Sequence, residues 1–191
     1  MVSHFIIKDD VRQHGSGNAG LTNFYRTYGA KYALGVILFD MGKTVIACLI
    51  GGAAFDYLAG DWMLGVLLGG LGCELGHMFP AYYGLKGGKG ILSGGVLVWM
   101  LDWRMGLIAW GLFVLLWLLT RYVSLGSIVA TASMPVSAFF VFGHDPLLTV
   151  LCAVVAALVI FCHRENIRRL LHGTENKFKW HVNPIDTGEN H

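Results

Sequence analysis

Long apolar stretches alternate with short polar or glycine-containing turns along most of the chain. A helix that crosses about 30 Å of membrane hydrocarbon needs roughly 17 to 25 mostly apolar residues. The stretch at 91–103 would span only about 20 Å at 1.5 Å per residue, so we expect either a short helix there or a leading loop that dips into the membrane. Six stretches are candidate spans: 32–55, 62–80, 91–103, 105–120, 123–142 and 146–162.

A soluble helical core is the alternative explanation for such stretches. It would require a polar face at a period of about 3.6 residues on each helix, whereas the stretch from Met105 to Leu119 is apolar all round. The chain is also 55% hydrophobic and only 14% charged, against about 25% charged residues in an ordinary soluble domain. We therefore predict an all-α fold, a polytopic transmembrane helical bundle with about six spans.

The basic residues are distributed unevenly among the turns. Twelve of the fourteen lie in segments that would share one side of the membrane, while the alternate turns hold only Arg104. By the positive-inside rule the basic side faces the cytoplasm, and six crossings place both termini there. The twelve are Lys8, Arg12, Arg26, Lys31, Lys86, Lys89, Arg121, Arg164, Arg168, Arg169, Lys177 and Lys179.

This pattern predicts one integral membrane domain over residues 1–191. Residues 1–31 form its N-terminal cytoplasmic segment and residues 163–191 its cytoplasmic C-terminal tail. The formal net charge of +2 is too small, and its residues too dispersed, to favour nucleic acid as a partner. Membrane lipids are the expected surroundings.

Cysteine and acidic residues give little support for metal or disulfide chemistry. The spacing Glu74-x-x-His77 resembles half of a di-iron site, but a second copy with further Glu ligands is missing. We predict no metal and no cofactor. The four cysteines are isolated in apolar stretches, without CxxC spacing, and are predicted to be buried free thiols: Cys48, Cys73, Cys152 and Cys162.

The first polar motif is GSGNAGLTNFYR, from Gly15 to Arg26. Its glycines permit positive φ angles and close approach of main-chain N–H groups to a ligand. Ser16 and Asn18 add hydrogen-bonding groups, and the Arg26 guanidinium can hold a phosphate through two parallel hydrogen bonds. A plain surface turn would explain the glycine pattern equally well.

The second motif is GHMFPAYYGLKGGKG, which ends at Gly90 before a predicted short helix. Lys86 and Lys89 lie in a glycine-rich turn, and the N–H groups and dipole of the following helix favour a phosphate. The GxxxxGK[ST] spacing of a nucleotide-hydrolysing loop is absent. A flexible juxtamembrane turn that contacts lipid headgroups is the alternative.

The third motif, HRENIRRLLHGTE, extends from His163 to Glu175 and continues a predicted span into the cytoplasm. Helical spacing puts His163 and Asn166 on neighbouring positions, where both could reach one ligand. The alternative is an interfacial basic helix end that contacts lipid phosphates.

Within the spans, Asp40 and Lys43 are three residues apart and form a possible ion pair.

Together and in this order, GSGNAGLTN with Arg26, GHMFP with LKGGKG, and HRENIRRLL with Gly173 and Glu175 resemble the three motifs of the bacterial acyl-phosphate:glycerol-3-phosphate acyltransferases. The segment RYVSLGSI also resembles that family, and the match covers roughly residues 12 to 178. It implies transfer of a fatty acyl group from acyl phosphate to the sn-1 hydroxyl of glycerol 3-phosphate. Lysophosphatidic acid and phosphate would be the products, and the bacterial inner membrane the location.

The resemblance also implies roles for particular residues. Ser16, His163 and Asn166 are expected to be catalytic. Substrate binding is expected of Arg26, Lys89, Lys86, Ser127, Asn18 and His77. The family's acyl phosphate is expected to supply its own proton acceptor, while the protein positions the substrates and neutralises charge. No GxSxG elbow is present, which disfavours a covalent acyl-serine.

The family usually has seven spans, with one immediately before the GSGN segment. Only Met1 to Gln13 precede that segment here, and Phe5, Ile6 and Ile7 resemble the end of a span, so we expect the first helix to be lacking. A membrane transporter or channel for a small organic phosphate is the alternative function. The absence of a detectable inverted repeat weakens that alternative.

Overall fold

The computed structural model describes residues 7–15 and 17–178. Two short 3₁₀ turns, at Val11–Gln13 and Ala81–Tyr83, lie beside the helices. Within the described ranges the chain forms the α-helices α1 Leu21–Tyr28, α2 Ala30–Ala59, α3 Trp62–Met78, α4 Ile91–Leu101, α5 Trp103–Thr120, α6 Val123–Val141, α7 Pro146–Cys162 and α8 Arg164–Leu171.

All six predicted apolar stretches are helical, which confirms the all-α membrane bundle. Four helices are long and apolar enough to cross a membrane: α2, α3 with its following turn, α5 and α6. α7 reaches that length only together with α8. α4 has 11 residues, so at 1.5 Å per residue it extends about 16 Å, roughly half of the hydrocarbon thickness. It packs antiparallel to α5, since Gly95 lies against Trp110 and Gly106 against Trp99, and it therefore still carries the chain from the Lys89 end of the bundle to the Asp102 end. By length alone, four or five of the described helices qualify as full spans.

The short α4 ends where a new helix begins. Asp102 has an extended backbone, and its carboxylate accepts a hydrogen bond from the Arg104 N–H at 2.8 Å. It therefore caps the N-terminus of α5 and interrupts the apolar stretch that the sequence presents as nearly continuous. This confirms the expectation of a short helix before residue 103.

The third motif does not simply continue its span. α8 is bent by 61° from α7 at His163. α8 carries Arg164, Arg168 and Arg169, and keeping three guanidinium groups within hydrocarbon would be costly. The bend therefore separates an apolar helix from an amphipathic one.

Glycines bring α2 and α3 into close contact. A side chain at Gly51 would collide with the Gly65 carbonyl, and one at Gly69 would collide with the Ala47 carbonyl. Small residues at a helix interface let two backbones approach closely, which is a common basis of packing between helices in lipid. α3 also packs on α4 and α7, so this contact places the helix before the second motif.

The core lies between α3, α4, α6 and α7, and the outer surface is apolar. Leu67, Leu97, Ala138 and Cys152 are completely buried. Large apolar side chains on the outside are instead more than half exposed, as expected where lipid covers the surface; they include Leu38, Ile46, Ile50, Leu115, Leu118, Phe140 and Val150.

The predicted free cysteines are confirmed, since none of the four forms a disulfide. Complete burial applies to Cys48 and Cys152, whereas Cys73 and Cys162 are partly exposed. The buried thiols pack as small hydrophobic side chains, and no disulfide crosslinks them.

Gly51→Val tests the α2–α3 contact. Overpacking of this kind costs about 1–3 kcal/mol, so we expect a lower melting temperature in detergent and reduced yield of folded protein. Gly72→Val is the matched control, because a Cβ at Gly72 meets no atom within 4 Å. Equal stability of the two variants would contradict the proposed packing constraint.

Candidate active site

The glycine segment before α1 is folded around Asn23, which is 3% exposed. Its side-chain NH₂ lies 3.1, 3.0 and 2.9 Å from the carbonyls of Val11, His14 and Asn18. Gly15 has a φ of 57°, and a Cβ there would collide with the Asn23 side chain. Asn23 therefore stabilises the loop from inside. Ser16, one of the predicted catalytic residues, lies outside the described residues.

Asn18 and Arg26 flank a cavity of about 420 Å³. The Asn18 Oδ1 accepts a hydrogen bond from the Gly20 N–H at 2.8 Å. Arg26 lies on α1, and its Nη2 is 3.4 Å from the Asn176 carbonyl. Burial lowers the pKa of Arg26, while the nearby charge of Glu175 opposes that shift. An arginine nevertheless keeps its charge in a protein, so a fixed cation faces the cavity.

The second motif folds back over the end of α3. The N–H groups of Gly87 and Gly88 donate to the carbonyls of Met78 and His77, both at 3.1 Å. Side chains at either glycine would collide with this end of α3. Gly90, with a φ of 78°, then leads directly into α4. Glycine is therefore required at positions 87 and 88, because the backbone of this turn lies directly against the end of α3.

This fold-back separates the two lysines. Lys89 lines the 420 Å³ cavity, and its Nζ donates to the Asn166 Oδ1 at 2.5 Å. Burial lowers the pKa of Lys89, and the charge of Arg169 adds to the shift. Lys86 is exposed and lines a different cavity. The structure therefore brings Lys89 to the first and third motifs but does not bring Lys86 there.

The third motif contributes the centre of a hydrogen-bond network. Asn166 Nδ2 donates to Glu175 Oε1 at 2.8 Å, and Ser124 Oγ donates to the same oxygen at 2.9 Å. Arg169 Nε donates to Glu175 Oε2 at 2.7 Å. Burial raises the pKa of Glu175, but these three hydrogen bonds outweigh it and lower the pKa below its ordinary value. The carboxylate is thus held ionised.

His163 and Ser127 complete the polar wall, and both are buried. His163 Nδ1 lies 2.8 Å from the Val159 carbonyl. Because a carbonyl only accepts, Nδ1 carries the proton, and Nε2 of the neutral ring is left as an acceptor. Ser127 Oγ donates to the Val123 carbonyl at 2.9 Å and keeps lone pairs for a further hydrogen bond.

A second polar group supports the glycine turn from α2 and α3. Lys43 Nζ lies 2.6 Å from Asp40 Oδ1 and 2.7 Å from His77 Nδ1. An ammonium only donates, so His77 Nδ1 accepts and its proton resides on Nε2. That Nε2 lies against Gly88, where a Cβ would collide with it. The predicted Asp40–Lys43 pair is present, and it positions His77 beside the Lys89 turn.

The rest of the cavity is apolar. Trp110 on α5 closes one side of it, because its indole N–H donates to the Gly95 carbonyl at 3.0 Å. The wall is formed by side chains of five helices, α2, α4, α5, α6 and α7. Its apolar lining includes Ile91, Leu92, Val98, Ala109, Phe113, Ala130, Met134, Val155 and Val159. The site therefore offers both fixed charges and a groove suited to hydrocarbon.

Of the predicted site residues, Asn18, Arg26, His77 and Lys89 line the cavity, together with Ser127, His163 and Asn166. Sequence reasoning missed the contributions of Ser124, Arg169 and Glu175. The available signal was Glu175 itself, an acidic residue that follows Arg168 and Arg169 closely in the third motif. No group of three or more His, Cys, Asp or Glu side chains within residues 7–15 and 17–178 could hold a metal ion.

Comparison with known proteins identifies the family to which this chain belongs. A sequence model described as glycerol-3-phosphate acyltransferase matches residues 1–173. The glycerol-3-phosphate acyltransferase of Geobacter sulfurreducens is 42% identical over 171 residues, 89% of this chain and 84% of that protein. That of Aquifex aeolicus is 40% identical over 172 residues, covering 88% of this chain and 85% of its own length.

Solved structures agree. The glycerol 3-phosphate form of PlsY (YgiH), an integral membrane glycerol 3-phosphate acyltransferase, matches with a TM-score of 0.81 and 36% identity, over 93% of this chain and 88% of that chain. The lysophosphatidic acid form of PlsY matches with a TM-score of 0.76 and 37% identity, over 86% and 82% of the two chains. The chain described here belongs to the glycerol-3-phosphate acyltransferase family of integral membrane enzymes.

Proposed function

We propose that this enzyme transfers a fatty acyl group from acyl phosphate to the sn-1 hydroxyl of glycerol 3-phosphate, giving lysophosphatidic acid and inorganic phosphate. The proposal rests on one observation: the cations of Arg26 and Lys89 and an apolar groove between helices line the same cavity. Both substrates have an anionic phosphate, and the donor also has a hydrocarbon chain. The related proteins crystallised with glycerol 3-phosphate and with lysophosphatidic acid support this assignment.

Charge distribution supports phosphate binding at the polar end. Glu175 is compensated by the Arg169 ion pair at 2.7 Å, and Asp40 by the Lys43 ion pair at 2.6 Å. The positive charges of Arg26 and Lys89 are then available to balance a substrate. The Lys89 ammonium has two protons beyond the one that it donates to Asn166, and hydrogen bonds between a cation and phosphate are stronger than neutral ones.

The chemistry requires little from the protein beyond positioning. The glycerol hydroxyl oxygen attacks the acyl carbonyl carbon, the bond from that carbon to the phosphate oxygen breaks, and the hydroxyl proton passes to the departing phosphate. A phosphate group on one carbon has its second pKa at about 6. The departing inorganic phosphate is a related group, so it can accept the hydroxyl proton. His163 Nδ1 is bound to a backbone carbonyl and not to a carboxylate, which suits His163 to orienting the hydroxyl through Nε2.

The remaining predicted residues support these steps. Asn166, held between Lys89 and Glu175, orients the ammonium. Ser127 and Asn18 are suited to hydrogen bonds with substrate oxygens, and Ser16 belongs to the same glycine segment. Lys86, which faces the neighbouring cavity, is suited to attracting anionic substrate toward the glycine turn. Membrane lipids and the fatty acyl phosphate share the apolar side of the site.

We also propose that the site faces the cytoplasm of a bacterial inner membrane. Twelve of the fourteen basic residues belong to sequence segments on one side of the predicted spans, and such bias marks the cytoplasmic side. Arg26, Lys89 and Arg169 of the site are among them. Glycerol 3-phosphate, a water-soluble anion, would then enter from the cytoplasm while the acyl chain enters from the bilayer. The cytoplasmic segments are 1–31 and 163–191, as the charge pattern predicts.

Arg26→Ala and Lys89→Ala are expected to raise the KM for glycerol 3-phosphate. Each removes a charge-assisted hydrogen bond worth about 1.5–3 kcal/mol, which corresponds to roughly 10- to 150-fold. Steady-state kinetics of purified enzyme in lipid measure the effect. Lys89→Arg should restore only part of the affinity, because a planar guanidinium fits the crowded glycine turn less well than an ammonium.

Two lysine variants serve as comparisons. Lys31→Ala, outside the cavity, should retain the wild-type KM, and Lys86→Ala should have a smaller effect than Lys89→Ala. Wild-type kinetics in folded Arg26→Ala and Lys89→Ala would remove these residues from the substrate site.

Donor selectivity is a second expected outcome. The enzyme should use acyl phosphate and not acyl-CoA or acyl carrier protein, because a cavity with the cations of Arg26 and Lys89 at one end and an apolar groove at the other is suited to a small phosphate head on a hydrocarbon chain. Labelled glycerol 3-phosphate is supplied with each donor in turn. Lysophosphatidic acid formed from acyl-CoA at a rate equal to that from acyl phosphate would refute the donor assignment.

The orientation is checked by labelling of introduced cysteines in intact cells, using a variant without the four native cysteines. Thr174→Cys should resist an impermeant thiol reagent until the membrane is permeabilised. Asp56→Cys, at the other end of the bundle, should react from outside. Rapid external labelling at Thr174→Cys would reverse the proposed topology.

A further inference from the structure

The segment after α8 lines the polar end of the cavity with Glu175 and Asn176, just past residue 173, where the matching family model ends. Gly173 has a φ of 68° and ends α8 by turning the chain back. Thr174 N–H donates to the Arg169 carbonyl at 2.9 Å, and Phe178 N–H donates to the Arg121 carbonyl at 2.8 Å. We call residues 173–178 the strap, since they connect α8 to the turn between α5 and α6.

Phe178 anchors the strap between two other aromatic rings. It stacks on Tyr25 of α1, with centroids 5.7 Å apart and planes at 18°. It also contacts Trp117 of α5 edge-on, at 5.3 Å and 84°. Both geometries are favourable for aromatic pairs. Phe178 thereby connects α1 to α5.

The position of α1 matters because it carries Arg26. α1 has only eight residues, lacks a side-chain hydrogen bond at its N-cap Gly20, and ends at Gly29 with a φ of 81°. A helix this short is not stable on its own and is held by tertiary contacts. Phe178 stacks on Tyr25, the residue next to Arg26, and the strap carbonyl of Asn176 contacts the Arg26 guanidinium at 3.4 Å.

We infer that Phe178 is a positioning residue for glycerol 3-phosphate: through Tyr25 it holds Arg26 at the polar end of the cavity, where Lys89 and the Glu175 network also lie. The strap carries Glu175 and Asn176, which line the cavity, so one segment contacts Arg26 and also supplies the carboxylate of the network. This inference rests on the proposed function. It adds a residue that does not touch the cavity and that controls the affinity for one of two substrates.

The acyl groove is held by other contacts. Its apolar walls come from α2, α4, α5, α6 and α7, and neither Phe178 nor Tyr25 belongs to it. Trp117, which Phe178 contacts, stacks on the groove residue Phe113, but both lie on the long helix α5, which packs on α4 and α6. Loosening α1 should therefore weaken binding of glycerol 3-phosphate while binding of the acyl donor and the chemical step change little. A purely structural role would instead lower folding yield and alter both substrates together.

Phe178→Ala in the full chain is the primary test. We expect the KM for glycerol 3-phosphate to rise roughly three- to tenfold, the effect of losing an aromatic pair, while kcat and the KM for acyl phosphate stay within about twofold. Phe178→Tyr keeps the ring and should remain near wild type. Phe178→Leu keeps most of the volume without the stacked ring, and should raise the same KM by a smaller factor.

A double-mutant cycle isolates the contact. Tyr25→Ala should reproduce the Phe178→Ala effect, and the double variant should be no worse than the stronger single variant, because both remove one interaction. Phe140→Ala is the control for loss of an aromatic side chain, since Phe140 is 70% exposed at the far end of α6. It should leave both KM values unchanged.

Thermal stabilisation by glycerol 3-phosphate gives a readout that does not need turnover. Its rise in melting temperature should be smaller in Phe178→Ala than in wild type at equal ligand concentration. An undiminished rise, or an equal change in both KM values, would overturn the role of Phe178. Absence of lysophosphatidic acid formation by wild type would instead count against the proposed function, while reduced stabilisation in the variant would still support the strap.

Discussion

The carboxylate of Glu175 accepts hydrogen bonds from Ser124, Asn166 and Arg169 at 2.7 to 2.9 Å. Asn166 in turn accepts from Lys89, so one anion fixes the tail, α6, α8 and the glycine turn. A partly buried charge is stable only when it is paired and hydrogen-bonded. The same requirement orders the cations around the cavity, because each must be balanced by Glu175 or by substrate.

Substrates that combine a phosphate with a hydrocarbon chain require a site at the boundary of water and lipid. The helices meet that requirement through their irregularities. α4 covers only about half of the hydrocarbon thickness, and its N-terminus begins directly after Lys89 and Gly90. α7 ends at His163, after which the chain bends by 61°. These two interruptions place polar residues next to the apolar groove.

Glycines allow α2, α3 and the turn that carries Lys89 to pack closely against one another. The contact of Gly51 with Gly65 sets α3 against α2, and α2 supplies the Lys43 ammonium that orients His77. His77 then lies against Gly88 in the turn that carries Lys89. The position of one substrate-facing ammonium therefore depends on a helix contact within the bundle, because each layer packs directly on the next.

Sequence by itself determined the helices, the membrane class and the residues of the three motifs, since hydrophobic length, charge bias and glycine clusters are local properties. It did not distinguish Lys86 from Lys89, which lie three residues apart but on different cavities. The sequence also did not predict that Ser124, Asn166 and Arg169 would donate hydrogen bonds to Glu175. It did not predict that Phe178 would pack between α1 and α5. These depend on long-range contacts made when the chain folds back over α3 and across α6, and such contacts leave no periodicity in the sequence.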